Sequence, residues 1–254
     1  MLEILHYLGL PEVASEHGPE LDQMLSLVHW LMLVLFFIWG PFFIYTLFRF
    51  SKKRNPKANY DGAKGRLSSV QEIGVVLAEI VLLVVFAIPA WATLKEDFPK
   101  EEEAVVVHVI GEQFAWNIHY PGPDGVFGQR SAELVNAATN PLGLDFDDPN
   151  GMDDIITVND LHLPVDKPAI IHITSKDVIH SFGLNTMRIK QDAIPGLDIP
   201  VYFRPVKTGH YEINCAQLCG LGHYRMRGKF TVHTQADYDA WMQQMLDELQ
   251  EYGR

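Results

Sequence analysis

The sequence predicts two membrane-spanning helices followed by an all-β domain. Two long apolar segments lie within the first hundred of the 254 residues. From Ala104 to about His233 the pattern changes to short β-branched and aromatic runs separated by Pro, Gly and Asp. Six such runs, AVVVHVI, FAWNIHY, AIIHITS, IPVYFRP, HYEINC and GKFTVHT, are typical of a β-sandwich or barrel.

The composition excludes several classes of protein. A formal net charge of −12 argues against a nucleic-acid partner. Two cysteines in 254 residues exclude a disulfide-rich scaffold. The 48% of hydrophobic residues is ordinary as an average, but these residues are concentrated in the first hundred positions.

The first 48 residues divide into a polar segment and a predicted helix. Residues 1–24 contain five acidic side chains and no Lys or Arg, which is unlike a signal peptide. We expect them to form a short external segment. Residues 25–48 are nearly all apolar and predict a first transmembrane helix of roughly 36 Å, enough for a hydrocarbon layer of about 30 Å.

A basic loop separates the two predicted spans. Residues 49–72 include seven Lys or Arg and a single acid before position 67, so the loop should remain on the cytoplasmic side. Residues 73–95 predict the second transmembrane helix, which places both termini outside. Glu79 lies within this helix, where a carboxylate costs about 3 kcal/mol and should face protein or water. Glu79 is therefore a candidate proton-entry residue, and a solvated position near the interface is the alternative.

The residues most specific for chemistry lie in CAQLCGLGHYRM, from Cys215 to Met226. Two thiols, Cys215 and Cys219, are followed by His223 and Met226. Such soft ligands favour copper over magnesium or calcium, and two thiolates on one short loop can bridge a pair of metals. A disulfide, a zinc site and simple core cysteines are the alternatives, whereas the C-x-x-C-H string of covalent haem attachment is absent.

An acidic excursion interrupts the β pattern at residues 121–161. A loop of this length in a compact domain is usually functional. We expect it to be a docking surface for a basic protein, or else simply a solvated acidic loop. The candidate docking residues are Asp145, Asp147, Asp148, Asp153, Asp154 and Asp160. Beyond the β domain, residues 236–254 predict a C-terminal helix with one packing face.

The cysteine loop resembles the binuclear copper loop of subunit II of cytochrome c oxidase, C-x-E-x-C-x-x-x-H-x-x-M. The segments SKDVIHSF, MRIKQDAIPG and GEQFAWNIHYPGPDGVFG resemble other parts of the same family. The resemblance implies a cupredoxin fold over residues 104–235 and a two-copper centre, copper A. Cys215 and Cys219 would bridge the coppers, His180 and Met226 would complete one, and His223 with the carbonyl of Gln217 would complete the other.

Two departures from the family pattern affect its secondary features. Gln217 replaces a glutamate that usually helps to bind magnesium at the subunit boundary, and a neutral amide is a weaker ligand for that ion. Phe114 replaces an exposed tryptophan that receives the electron in many relatives. Trp116, two residues on, should share its strand face, so Phe114 and Trp116 are the candidate electron-entry residues.

The resemblance implies an electron-entry subunit of a respiratory oxidase. A c-type cytochrome would donate electrons, and a haem in oxidase subunit I would accept them and reduce O2 with proton pumping. The other oxidase subunits and the lipid membrane are the remaining implied partners. We expect a bacterial inner membrane, rather than a mitochondrial one, with the copper domain on the periplasmic side. The alternatives are a copper A subunit of a nitric oxide reductase-type enzyme, a copper-free structural subunit and a membrane-tethered copper chaperone. Structural roles are predicted for His108, His119, His162, His172, His210 and His233.

Overall fold

Two helical segments long and apolar enough to cross a membrane lie in the N-terminal part of the computed structural model. The structure describes residues 1–57, 60, 65–96 and 98–251. It divides into two units. One comprises Met1–Leu10 and Glu20–Asp97, and the other comprises Pro11–Pro19 and Phe98–Arg254.

The helical unit begins with a short helix and continues with the two long segments. Helix α1 spans Leu2–Tyr7 and α2 spans Gly18–Arg49. Helix α2 thus begins seven residues before the predicted Leu25, because the acidic residues around Glu20 favour a helix N-terminus. The second segment contains α3 (Arg66–Val81), a π-helical turn (Leu82–Ala87) and α4 (Ile88–Glu96). The π-turn ends two residues before Pro89, which has no N–H to donate to the carbonyl four residues earlier.

Glu79 lies on α3 and lines a cleft of about 310 Å³ between the two long helices. Gln71 lines the same cleft, and α2 contributes apolar side chains such as Leu31 and Trp39. Within the basic loop, residues 58, 59 and 61–64 lie outside the described residues. The proton-entry role of Glu79 stays a prediction.

The second unit is a sandwich of two five-stranded sheets, which confirms the predicted fold class of a helical hairpin followed by an all-β domain. The order is β3-β2-β1-β5-β8 in the first sheet and β4-β10-β9-β6-β7 in the second. The pairs β1–β5 and β4–β10 are parallel, and the other pairs are antiparallel. The strands are β1 (Val105–Glu112), β2 (Ala115–Tyr120), β3 (Ile155–Val158), β4 (Asp160–Pro164), β5 (Ala169–Ser175), β6 (His180–Leu184), β7 (Ile189–Ala193), β8 (Ile199–Phe203), β9 (Gly209–Cys215) and β10 (Arg227–His233).

The core lies between the sheets and follows the period of two along each strand. Val107 and Val109 of β1 are fully buried, whereas His108 lies on the opposite face of the sheet. Phe182 of β6 and Phe230 of β10 are also fully buried. Each such side chain contributes roughly 2 kcal/mol through removal from water, so the core fixes strand register.

Within the N-terminal segment predicted to be external, residues 11–19 pack on the β unit and extend its core. Ala14 is fully buried, donates its N–H to the Thr186 carbonyl at 2.9 Å and accepts from Val206 at 2.8 Å. The Ser15 hydroxyl donates to the Met187 carbonyl at 2.8 Å. Main-chain hydrogen bonding of this kind cannot be inferred from side-chain composition.

The C-terminal helix α5 spans Gln235–Glu251 and covers one side of the sandwich. The Thr234 hydroxyl accepts from the Asp237 N–H at 3.2 Å and donates to its carboxylate at 2.7 Å, which stabilises the start of the helix. Trp241, Met242 and Met245 pack against the core. The predicted packing face is therefore present, while residues 252–254 lie outside the described residues.

Candidate metal centre

Three strand ends bring the predicted metal ligands together. Cys215 is the last residue of β9, and residues 216–226 return the chain to β10, its antiparallel neighbour. The Cys215 N–H donates to the Met226 carbonyl at 3.1 Å and closes this loop. His180 is the first residue of β6, which pairs with β9 through Phe182 and Cys215. Strand pairing thus places His180 beside a loop that follows it by 35 residues.

The distances are short enough for shared metal ligation. The two thiol sulfurs are 3.8 Å apart, and the Cys219 sulfur lies 3.5 Å from His223 Nδ1 and 3.7 Å from the Met226 sulfur. The Gln217 carbonyl oxygen lies 3.2 Å from the Cys215 sulfur. One His180 ring nitrogen and both sulfurs lie within 4.8 Å of one another. The structure therefore gathers all six predicted ligand groups.

The cysteines are free thiols rather than a disulfide. Their separation of 3.8 Å is well beyond an S–S bond of about 2.05 Å. Cys219 is buried, and burial together with the neighbouring Cys215 raises its thiol pKa to about 11. Without a cation the Cys219 thiol is therefore protonated at neutral pH, and metal binding would supply the charge that makes a thiolate favourable.

His180 is oriented as a metal ligand. Its side chain is fully buried, and its Nε2 lies 2.9 Å from the Asp177 carboxylate. Its Nδ1 is buried and has no hydrogen-bond partner among the described residues. A buried ring nitrogen without a partner is unfavourable, whereas a histidine that donates to a carboxylate and ligates through its other nitrogen is the common arrangement at metal sites. The residues present therefore fit a bound metal.

Asp177 and Gln113 support the centre, and the sequence reasoning assigned neither of them a role. Burial would raise the pKa of the Asp177 carboxyl, but hydrogen bonds from His180 and from two backbone N–H groups outweigh burial and lower it. One of those N–H groups belongs to Gln113, at 2.7 Å. The segment SKDVIHSF contained the signal for Asp177, because a carboxylate three residues before a ligand can reach its ring.

The two candidate electron-entry residues do not share an exposed strand face. Phe114 lies in the turn between β1 and β2, half-buried, and the Arg225 guanidinium lies 5.9 Å from its ring centre. Trp116 is fully buried, with its ring 5.9 Å from that of His180 and 5.3 Å from Phe182. Trp116 cannot contact a partner at the surface, because it lies in β2 rather than in the turn and its side chain points into the core.

The acidic excursion is ordered, and most of its candidate docking carboxylates hold the segment together. Asp154 is fully buried and lies 2.6 Å from His119 Nε2. Asp148 accepts from the N–H groups of Gln129 at 2.8 Å and Asn150 at 3.2 Å. Asp153 accepts from the Asp124 N–H at 3.3 Å. Asp154 as a docking residue is therefore wrong, and the expected loop is built on internal hydrogen bonds.

The remaining candidate docking residues differ in exposure. Asp147 is exposed, whereas Asp145 is half-buried and accepts from the Asp147 N–H at 3.0 Å. Asp160 begins β4 and lies 3.3 Å from His162 Nε2. The excursion also contains β3, which pairs with β2 and was not predicted.

Several other histidines of the β domain contact one another or carboxylates. His162 Nδ1 lies 2.7 Å from His233 Nε2, and His172 Nδ1 lies 2.9 Å from Asp198. His108 lies between His119 and His172 in the sheet register. Burial, followed by the nearby Arg130, His119 and His172, lowers the pKa of His108 to about 3. These contacts fit the structural roles predicted for them.

Comparison with known proteins finds a family and relatives that are all described as subunit II of cytochrome c oxidase. Residues 105–231 match the family described as "Cytochrome C oxidase subunit II, periplasmic domain". The "Alternative cytochrome c oxidase subunit 2" of Bradyrhizobium diazoefficiens is 32% identical over 88% of this chain and 79% of its own length. "Cytochrome c oxidase subunit 2" of Cereibacter sphaeroides is 28% identical over 94% of this chain and 83% of its own length.

A solved structure is also similar. The periplasmic domain of subunit II of cytochrome oxidase from Bradyrhizobium japonicum is 27% identical, with a TM-score of 0.44, over 59% of this chain and 98% of that chain. The family match over residues 105–231 covers the whole of β1 to β9 and five of the seven residues of β10. From the family match and the identity to the alternative oxidase subunit, the chain belongs to the cytochrome c oxidase subunit II family.

Proposed function

We propose that the β domain holds a two-copper centre that accepts single electrons from a c-type cytochrome and passes them to a haem in oxidase subunit I. The observation that carries this proposal is the convergence of His180, both thiols and the residues of the 215–226 loop around one position. Members of the family are subunits of haem–copper terminal oxidases, which are oxidoreductases.

The ligand assignments follow the groups that the structure gathers. Cys215 and Cys219 would bridge two coppers, His180 and Met226 would complete one, and His223 and the Gln217 carbonyl would complete the other. Bound copper would supply one-electron redox chemistry. The soft sulfur donors favour copper over hard cations.

This chain's own residues would keep that centre rigid and dry. Cys219 and Met226 are buried, and the His180 side chain is fully excluded from solvent. Asp177 fixes the His180 ring through Nε2 and leaves Nδ1 for the metal. Gly111 lies against the ring, where an added Cβ would be only 3.0 Å from it. Side chains held in this way would move little during electron transfer.

The oxygen chemistry belongs to the partner subunit. O2 reduction and proton pumping would occur in subunit I, while this chain delivers electrons from the periplasmic side of a bacterial inner membrane. The named relatives are cytochrome c oxidase subunits, which favours an oxidase over a nitric oxide reductase-type enzyme. Gln217 is exposed, and its side-chain oxygen accepts from the Leu218 N–H at 3.2 Å. We expect magnesium to bind weakly there.

Anaerobic rapid mixing of the purified oxidase with reduced c-type cytochrome tests the proposed order of electron transfer. The copper absorption should bleach as the cytochrome is oxidised, before the partner haem is reduced. A His223→Leu variant should lose the fast phase because it lacks a ligand to one copper. Haem reduction at the wild-type rate in that variant would contradict the proposal.

A further inference from the structure

The turn between β1 and β2 contacts both halves of the metal centre through Gln113. Its side-chain amide Nε2 donates to the Cys219 carbonyl at 2.7 Å. Its backbone N–H donates to Asp177 Oδ2, also at 2.7 Å. The other oxygen of that carboxylate lies 2.9 Å from His180 Nε2. One residue thus connects the cysteine loop to the histidine that lies outside it.

A displacement of Cys219 would change its distances to three other candidate ligands of the loop. Its sulfur lies within 3.8 Å of the Cys215 sulfur, His223 Nδ1 and the Met226 sulfur. The backbone carbonyl that Gln113 holds belongs to the same residue. A hydrogen bond to that carbonyl therefore restrains the residue with the most contacts in the centre.

The loop backbone is shaped to accept this turn. Gly220, which follows Cys219, has φ +131°, and an added Cβ would lie 2.7 Å from Gln113 Nε2. Phe114, which follows Gln113, packs against Gly222, where an added Cβ would lie 2.4 Å from the Phe114 ring. Two glycines thus leave room for two successive residues of the turn.

Resting on the proposed copper function, we infer that Gln113 is a positioning residue that fixes the cysteine loop relative to His180. It touches no ligand atom and acts through the Cys219 carbonyl and Asp177. Residues 216–226 have no regular structure except a short 3-10 turn at His223–Arg225. The Gln113 side chain supplies a restraint on the loop from outside it.

The test replaces the side-chain donor and leaves the backbone bond to Asp177 in place. Gln113→Met keeps the length of the side chain and removes the N–H, while Gln113→Glu places a carboxylate oxygen against the Cys219 carbonyl. Gln129→Met is the matched control, because Gln129 is an exposed glutamine whose hydrogen bond to Asp148 uses its backbone N–H. The full-length chain is purified in detergent and loaded with copper.

The readouts are the rate of copper release to a chelator, the copper hyperfine pattern in electron paramagnetic resonance and the midpoint potential. One lost hydrogen bond should accelerate release about fivefold to tenfold in Gln113→Met. Gln113→Glu should release copper faster still, with a changed hyperfine pattern and potential. Thermal unfolding of the copper-free variants should match that of Gln129→Met, because the side chain acts on the loop and not on the core.

Release rates, spectra and potentials equal to those of Gln129→Met would overturn the inference. The inference would also be overturned if the copper-free Gln113 variants lost thermal stability relative to Gln129→Met while their copper spectra stayed unaltered. That combination is the result expected of a purely structural role. A wild-type chain that binds fewer than two coppers would instead refute the proposed function. The two failures are therefore distinguishable.

Discussion

At the scale of single residues, the orientation of the candidate ligand His180 is set by Asp177, which is not itself a predicted ligand. The His180 ring has one nitrogen held by Asp177 and one buried nitrogen without a partner among the described residues. The carboxylate therefore decides which nitrogen faces the ligand cluster. Replacing a partner of this kind typically lowers metal affinity or activity by about 10- to 100-fold.

Replacing Asp177 should weaken copper binding while the six ligand groups remain. The two carboxylate oxygens of Asp177 face two donors, His180 Nε2 and the Gln113 N–H. In Asp177→Asn one of these oxygens becomes an NH2 group, so one donor faces another donor and its hydrogen bond is lost. We expect copper affinity to fall by about 10- to 100-fold, as measured by chelator competition. The exposed Asp147→Asn is the control, and equal affinities for the two variants would contradict this role.

Gly222 should not tolerate a methyl group. A Cβ there would lie 2.4 Å from the Phe114 ring, so Gly222→Ala must displace the turn or the loop. We expect a distorted copper spectrum in Gly222→Ala and partial recovery in the double variant Gly222→Ala, Phe114→Ala. The measurement is a double-mutant cycle on copper release. Additive effects would show that the two residues do not contact one another.

At the scale of elements, the acidic excursion belongs to the sandwich rather than to a free loop. Its buried Asp154 lies against His119 of β2 and also accepts from the Gly128 N–H at 2.8 Å. Both faces of β2 are consequently covered, one by the core and the other by the excursion. The structure assigns these carboxylates mainly to folding.

Removing the Asp154 charge should destabilise the β unit. Asp154→Asn leaves His119 without its carboxylate and perturbs a site that is fully buried. We expect a loss of about 2 kcal/mol in the free energy of unfolding, because a buried hydrogen bond is broken, measured by denaturant unfolding of the copper-free chain. Asp147→Asn, at an exposed carboxylate of the same excursion, should lose less than about 0.5 kcal/mol. A similarly small loss of unfolding free energy in both variants would contradict a stabilising role for the buried Asp154 carboxylate.

The histidine row on β1, β2 and β5 should make stability dependent on pH. Burial and the neighbouring Arg130, His119 and His172 lower the His108 pKa from 6.5 to about 3. The folded state thus resists protonation that the unfolded state accepts. Stability is complete above pH 6.5 and is lost as the pH falls towards 3, by up to about 1.4 kcal/mol per pH unit from this group.

A His108→Gln variant isolates that contribution. It removes the titrating ring while keeping a polar side chain beside Phe127, whose ring stacks on His108 at 3.9 Å. Unfolding titrations between pH 4 and pH 7 should give a shallower slope for the variant than for the wild type. Parallel slopes would show that His108 titrates normally in the folded chain.

At the scale of the whole molecule, the sequence predicts the order of the parts better than their contacts. The helical hairpin, the two-sheet domain and the chemistry of the 215–226 loop follow from periodicity and spacing. His180 required the family resemblance, because only the pairing of β6 with β9 brings it to the loop. Pairing between distant strands leaves no local signal in a single sequence.

The wrong expectations share one physical cause. Trp116 was a candidate for electron entry and Asp154 a candidate for docking, and both roles require exposure. Both side chains are fully buried. Burial of a polar or aromatic side chain depends on what covers it, and the covering segments here are distant in sequence.

The most direct measurement of the central claim is the metal content and paramagnetic resonance of the full-length chain loaded with copper. Two coppers for each chain should be found, with a seven-line hyperfine pattern from one unpaired electron shared by both. Cys215→Ser and Cys219→Ser should each abolish that pattern. One copper for each chain with a four-line pattern, or zinc in its place, would contradict the account.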